Sequence, residues 1–179
     1  MTEISAFIRI ERGLYMSEHN ILTEFRDDLS KYSPEQLWYI SQEDVWSIGQ
    51  MYDHLLLVAH EYLDSAELCE SEEPKEGLEK SKFGGELFER GGFPPIKIRL
   101  PDEMNAPPNN ADSKEELISR MDRLIERMDQ SETKVEKIDS NRKVRHGGFG
   151  WLNAKEWHEL VVMHFQHHVR QKAELESSL

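Results

Sequence analysis

Between Ile4 and about Leu29 the apolar residues Phe7, Ile10, Leu14, Ile21, Phe25 and Leu29 recur at intervals of three, four or seven, the period at which a helix returns to one face. This spacing predicts a first long helix. Ser33-Pro34-Glu35-Gln36 then sets a capping hydroxyl before a proline, whose missing N–H costs nothing in a first turn, so a short helical connector follows. Ser47 and Gln50 form a capping box at the head of a second helix, with the stripe Met51, Leu55, Val58 and Tyr62. Ser113 and Glu116 do the same for a third, striped by Leu117, Met121, Leu124 and Met128. A fourth helix is expected from near Asn153 to about Leu175. Four amphipathic helices each need a neighbour for the apolar stripe, so the expected fold is all-α, a four-helix bundle.

The connection from 71 to 112 breaks this pattern, since the run Ser81 to Asp112 alone holds five of the chain's 7 prolines. No long regular helix is expected there. Phe83, Phe88, Phe93, Ile96, Ile98 and Leu100 are apolar anchors along it, which predicts an ordered loop lying over the bundle as a lid. Residues 1–179 are read as one domain, long enough to bury about two thirds of the unfolded surface.

Composition agrees with helices that have solvated faces: 37% hydrophobic and 32% charged residues, with 10 Gly and 7 Pro. A formal charge of -13 argues against nucleic acid and anionic membranes as partners. The longest apolar runs fall far short of the roughly 20 residues that span a bilayer. Cys69 is the single cysteine, so no internal disulfide is expected, and the charged start MTEISAFIRIERG does not read as a secretory signal. The cytoplasm is the expected compartment.

Three of the 8 histidines occupy stripe positions where leucines are expected. His54 follows Met51 by three and precedes Val58 by four, while Trp157, Val161, His164 and His168 continue one face of the fourth helix. His164 and His168, at i and i+4, project side by side and suit adjacent corners of one metal ion. If the second and fourth helices run antiparallel, His54 lies level with them and completes a three-nitrogen set with open positions. A histidine on an apolar face also serves as a core residue bonded to a backbone carbonyl. The spacing alone leaves both readings open.

The segment WSIGQMYDHLLLVAHEYL, with His54 eight residues after Trp46, resembles the second helix of the DinB/YfiT-like family, and HGGFGWLNAKEWHELVVMHFQHHVRQ is similar to that family's last helix. The resemblance implies a metal-binding bundle whose ligands are His54, His164 and His168. It also implies a divalent ion, zinc or nickel with iron as a further candidate, and a thiol-dependent transferase that joins a low-molecular-weight thiol to electrophiles in detoxification or stress response. A metal-dependent hydrolase and a non-catalytic stress-related metal-binding bundle are the alternatives. No H-E-x-x-H arrangement is present, which disfavours peptide hydrolysis.

Other residues have secondary expectations. Asp53 and Glu61 are candidates for orienting a ligand imidazole, and Lys97 and Arg99, with Arg90, for anchoring an anionic small-molecule substrate. His167 and His158 are expected beside the site or at the surface, and His60 faces elsewhere. Cys69 lies fifteen residues beyond His54, about 22 Å along a helix, too far to share an ion. Trp46 and Trp157 read as packing residues. Val162, Phe165 and Val169 form a second apolar stripe on the fourth helix, which predicts a homodimer, as the family resemblance does.

Overall fold

The structure is a computed structural model and describes residues 21–94 and 107–179. The chain is helical at 21–28 (α1) and tightens into a 3-10 turn at Leu29–Lys31. There follow α2 (Pro34–Trp38), α3 (Ile48–Leu68), α4 (Lys82–Arg90), α5 (Lys114–Val135), the strands β1 (Lys143–His146) and β2 (Gly150–Asn153), and α6 (Ala154–Glu176). The fold is all-α, with one small hairpin added.

Local chemistry starts the helices where the sequence places them. Ser33, Ser47, Ser113 and Asn153 each accept from the amide three residues on, and Gln36, Gln50, Glu116 and Glu156 return the bond. Each such cap contributes about 1 kcal/mol and fixes the register of the stripe behind it. The stripes then meet. Met51, Leu55, Leu117, Met121, Leu124 and Val161 are fully buried, with Tyr62, Met128 and Trp157 nearly so.

Helix α3 is the central element, lying against both α5 and α6. Its C-terminal cysteine, Cys69, sits against the Leu152 carbonyl at the head of α6, Tyr62 lies beside Trp157, and His54 lies beside His164 and His168. Position along α3 thus rises as position along α6 falls, so the two helices are antiparallel. The second stripe of α6 is covered within the chain: Val162 and Phe165 are buried, Phe165 edge-on to Phe25 of α1, and Val169 alone of the three is exposed. That stripe therefore does not call for a second protomer.

The long connection contains a helix that its prolines and glycines hid. Ser81 caps α4, Leu87 buries itself in the core, and Gly91 ends the helix in the left-handed conformation (φ 72°). Helix α4 is held by the β1–β2 hairpin, an element absent from the sequence reading. The Ser81 amide donates to Phe149 O (2.8 Å), Trp151 N to Glu79 O (3.1 Å), and the Ser81 hydroxyl to Gly148 O (2.7 Å). Backbone meets backbone here, so no side chain fits between. A Cβ on Gly84 would stand 2.1 Å from Phe149 O, and one on Gly150, which also has φ 81°, 2.3 Å from Ser81 N. Phe88 and Phe93 pack on the core as anchors, while Phe83 is more exposed; Ile96, Ile98 and Leu100 lie outside the described residues.

Candidate metal centre

Because α3 and α6 run antiparallel, the one histidine of α3's stripe faces the pair on α6. The Nε2 atoms of His54 and His164 are 3.2 Å apart, and those of His168 and His164 are 3.1 Å apart. Among the described residues these three side chains are the ones grouped closely enough to hold a metal ion, with ligand atoms all within 4.8 Å of one another.

The spacing is that of ligands and not of a hydrogen-bond chain. An imidazole nitrogen carries either one proton or one in-plane lone pair, so His164 Nε2 cannot bond well to both neighbours at once. Nitrogens about 2.05 Å from a tetrahedral ion stand about 3.3 Å from each other, close to what the triad shows. The protonation state also fits. Burial pushes His54 down to about 4, offset in part by the Asp53 carboxylate, and burial with the nearby His54 pushes His168 down to about 4. His164 is held well below the ordinary histidine range by burial first and by the other histidines next. All three rings are therefore neutral near pH 7, with nitrogen lone pairs available.

Tautomers follow from the outer contacts. His168 Nδ1 lies 2.5 Å from Gln171 Oε1, an acceptor, so Nδ1 carries the proton and Nε2 the lone pair. Gln171, one turn further along α6, thus serves the orienting role that the sequence reading assigned to carboxylates. Asp53 is committed elsewhere: its carboxylate accepts from Asn109 N (2.9 Å) and Arg120 Nη1 (2.8 Å), and Arg120 also pairs with Asp112. As the residue before His54 it points about 100° around the helix, towards α5, where it pins residues 109–112 to α3. Glu61 is exposed.

Aromatic rings surround the triad. Trp46 lies 5.1 Å from His54 between ring centres, Phe93 lies 6.2 Å from His164 and 5.1 Å from His167, and Tyr62 lies 6.0 Å from His164. Trp46, Phe93 and His167 are half-buried, so this rim is both apolar and reachable.

The family model of the DinB superfamily matches residues 21–171. The chain belongs to the DinB superfamily. No curated protein and no solved structure matches it significantly. The DinB match covers α3 and nearly all of α6 up to Gln171, so both histidine-bearing segments fall inside it.

The remaining candidates in this DinB chain separate cleanly. His60 Nδ1 accepts from Arg127 Nη1 (3.1 Å), and His158 Nε2 faces Met128 O (3.3 Å), each away from the triad. Cys69 is buried at the far end of α3, and burial pushes its thiol up to about 11, which makes it a poor nucleophile. Lys97 and Arg99 lie outside the described residues, and Arg90 is exposed at the end of α4. No helix among the described residues is long and apolar enough to cross a membrane. One residue near the site was not singled out in the sequence: His146, at the hairpin turn, whose ring lies against Tyr62 and Trp157 and whose only trace in the sequence is the glycine-rich run His146-Gly147-Gly148-Phe149-Gly150.

Proposed function

We propose that this DinB protein binds one divalent metal ion through Nε2 of His54, His164 and His168 and acts as a metal-dependent thiol S-transferase in detoxification or stress response. The observation that carries the reading is the convergence of three neutral imidazole nitrogens at 3.1 and 3.2 Å. A bound ion there supplies a Lewis acid that brings the pKa of a thiol towards neutrality.

The chain's own residues favour thiol transfer over hydrolysis. The half-buried Trp46 and Phe93 beside the histidines offer an apolar surface for the electrophile and limit water around the sulfur. In the transfer the thiol proton passes to solvent, a sulfur–carbon bond forms, and the leaving group departs with the electrons of the bond it breaks. Nitrogen donors do not choose between zinc, nickel and iron.

The test is elemental analysis of untagged protein, followed by assay of zinc- and nickel-loaded protein with a small thiol and 1-chloro-2,4-dinitrobenzene. We expect one ion per chain and chloride release that requires both metal and thiol. Metal-loaded protein that consumes no thiol with any electrophile tried, or that releases chloride equally without thiol, would overturn the transferase reading.

A further inference from the structure

The hairpin turn brings a histidine to the triad's neighbourhood with a fixed proton position. Two backbone amides, Gly148 N (3.0 Å) and Phe149 N (3.1 Å), donate to His146 Nδ1, so that nitrogen holds a lone pair. The ring is stacked flat on Phe149, with centres 3.9 Å apart and planes at 5°, and is therefore locked in orientation. Burial holds it neutral by lowering its pKa. In a neutral imidazole with Nδ1 accepting, the proton sits on Nε2. His146 thus presents an N–H donor on the edge opposite the turn, and nothing among the described residues accepts from it.

A second donor lies in the same corner. Trp157 is 4% exposed, and its Nε1–H is buried without a hydrogen-bond partner among the described residues. The rings of Tyr62, His146 and Trp157 form a closed triangle with centres 6.0, 5.6 and 5.3 Å apart. Tyr62 also touches His164, and Phe93 links Phe149 to His164, so this corner adjoins the candidate metal centre from two sides.

A buried N–H without an acceptor is rare because it forfeits its hydration, and Trp157 Nε1 is one; with the N–H of the half-buried His146 ring beside it, the aromatic corner offers two donors. Ligand pockets have this make-up, mostly apolar with a few placed polar groups. Resting on the metal-site reading above, we propose that the corner formed by Tyr62, His146 and Trp157 recognises a planar oxygen acceptor, a carboxylate or amide carbonyl, on the substrate bound beside the triad. The aromatic rings hold the body of that substrate, and the His146 and Trp157 N–H groups select for the oxygen.

The test uses zinc-loaded protein titrated with benzoate and, separately, benzamide, by calorimetry, with zinc content measured for every variant. The two probes distinguish a carboxylate from a neutral carbonyl as the preferred acceptor. We expect wild type to bind one of them at one per chain. His146→Asn keeps an acceptor for the two turn amides but removes the distal N–H, and should weaken that probe at least tenfold; His146→Gln, whose amide reaches the Nε2 position, should restore part of the loss. Trp157→Phe should weaken it similarly, with zinc retained throughout. Equal affinities in wild type, His146→Asn and Trp157→Phe, or no binding of either probe to zinc-loaded wild type, overturns this inference alone. Wild type that retains no zinc overturns the metal reading and this inference with it.

Discussion

Replacing His164 by leucine separates what the triad costs the fold from what it gains by holding a metal. His164 is 7% exposed, and its Nδ1 has no partner among the described residues, so in the metal-free protein it is a buried polar group only partly satisfied. Such a group costs about 1–3 kcal/mol, and leucine of similar volume removes that cost while keeping the packing. The metal-free variant should therefore match or exceed metal-free wild type by about 1 kcal/mol. With metal the order reverses. Free zinc at about 1,000 times its dissociation constant stabilises a protein by about 4 kcal/mol, which for a chain of this size raises Tm by about 8–16 °C. His164 is the middle ligand, the one whose Nε2 lies 3.1 and 3.2 Å from the other two, so its loss leaves two nitrogens without the third that closes the set. Thermal unfolding followed by circular dichroism, with EDTA and with zinc, reads both effects. A zinc-induced rise in His164→Leu equal to that of wild type would refute the assignment, as would a large loss of stability in EDTA.

Three further outcomes follow from particular contacts. Metal-free protein should lose about 3 kcal/mol for each of two histidines on acidification: unfolded histidines take up protons near 6.5 whereas His54 and His168 resist until about 4, so stability is full above pH 6.5 and lost as pH falls towards 4. A urea midpoint in EDTA that stays level from pH 7.5 to 4.5 would contradict this. Gly84→Ala should cost about 3 kcal/mol, because its Cβ would meet the Phe149 carbonyl 2.1 Å away, where backbone cannot retreat without breaking the Ser81–Phe149 bond; chemical denaturation yielding wild-type stability would argue against the clasp. Asp53→Asn should cost about 1–3 kcal/mol through its charged bond to Arg120, yet leave zinc content unchanged, since that carboxylate turns away from His54; loss of zinc in a folded variant would restore Asp53 to the metal centre.

Stripes at helical spacing, the capping boxes at Ser47 and Ser113 and the capping hydroxyl of Ser33 were legible in the sequence because they act within one turn of the chain; Asn153 was read only as the start of a helix, and the structure shows its capping box. The pairing of His164 with His168 is local in the same way, set by 3.6 residues per turn. His54 was legible only as an odd stripe residue until the antiparallel packing of α3 on α6 brought its Nε2 to 3.2 Å from His164. Partners that depend on direction around a helix were decided by the tertiary structure alone: Asp53 turns to Arg120 and Gln171 takes the role of orienting an imidazole. The hairpin and α4 hold each other through main-chain bonds between residues about seventy positions apart, and neither carries a periodic stripe long enough to announce it. His146 therefore looked like one residue of a glycine-rich turn, and only the tertiary structure brings that turn against Tyr62 and Trp157, with Tyr62 in turn beside His164. Short-range periodicity specifies which surfaces must be buried, whereas the identity of a side chain's partner depends on which distant surface arrives there.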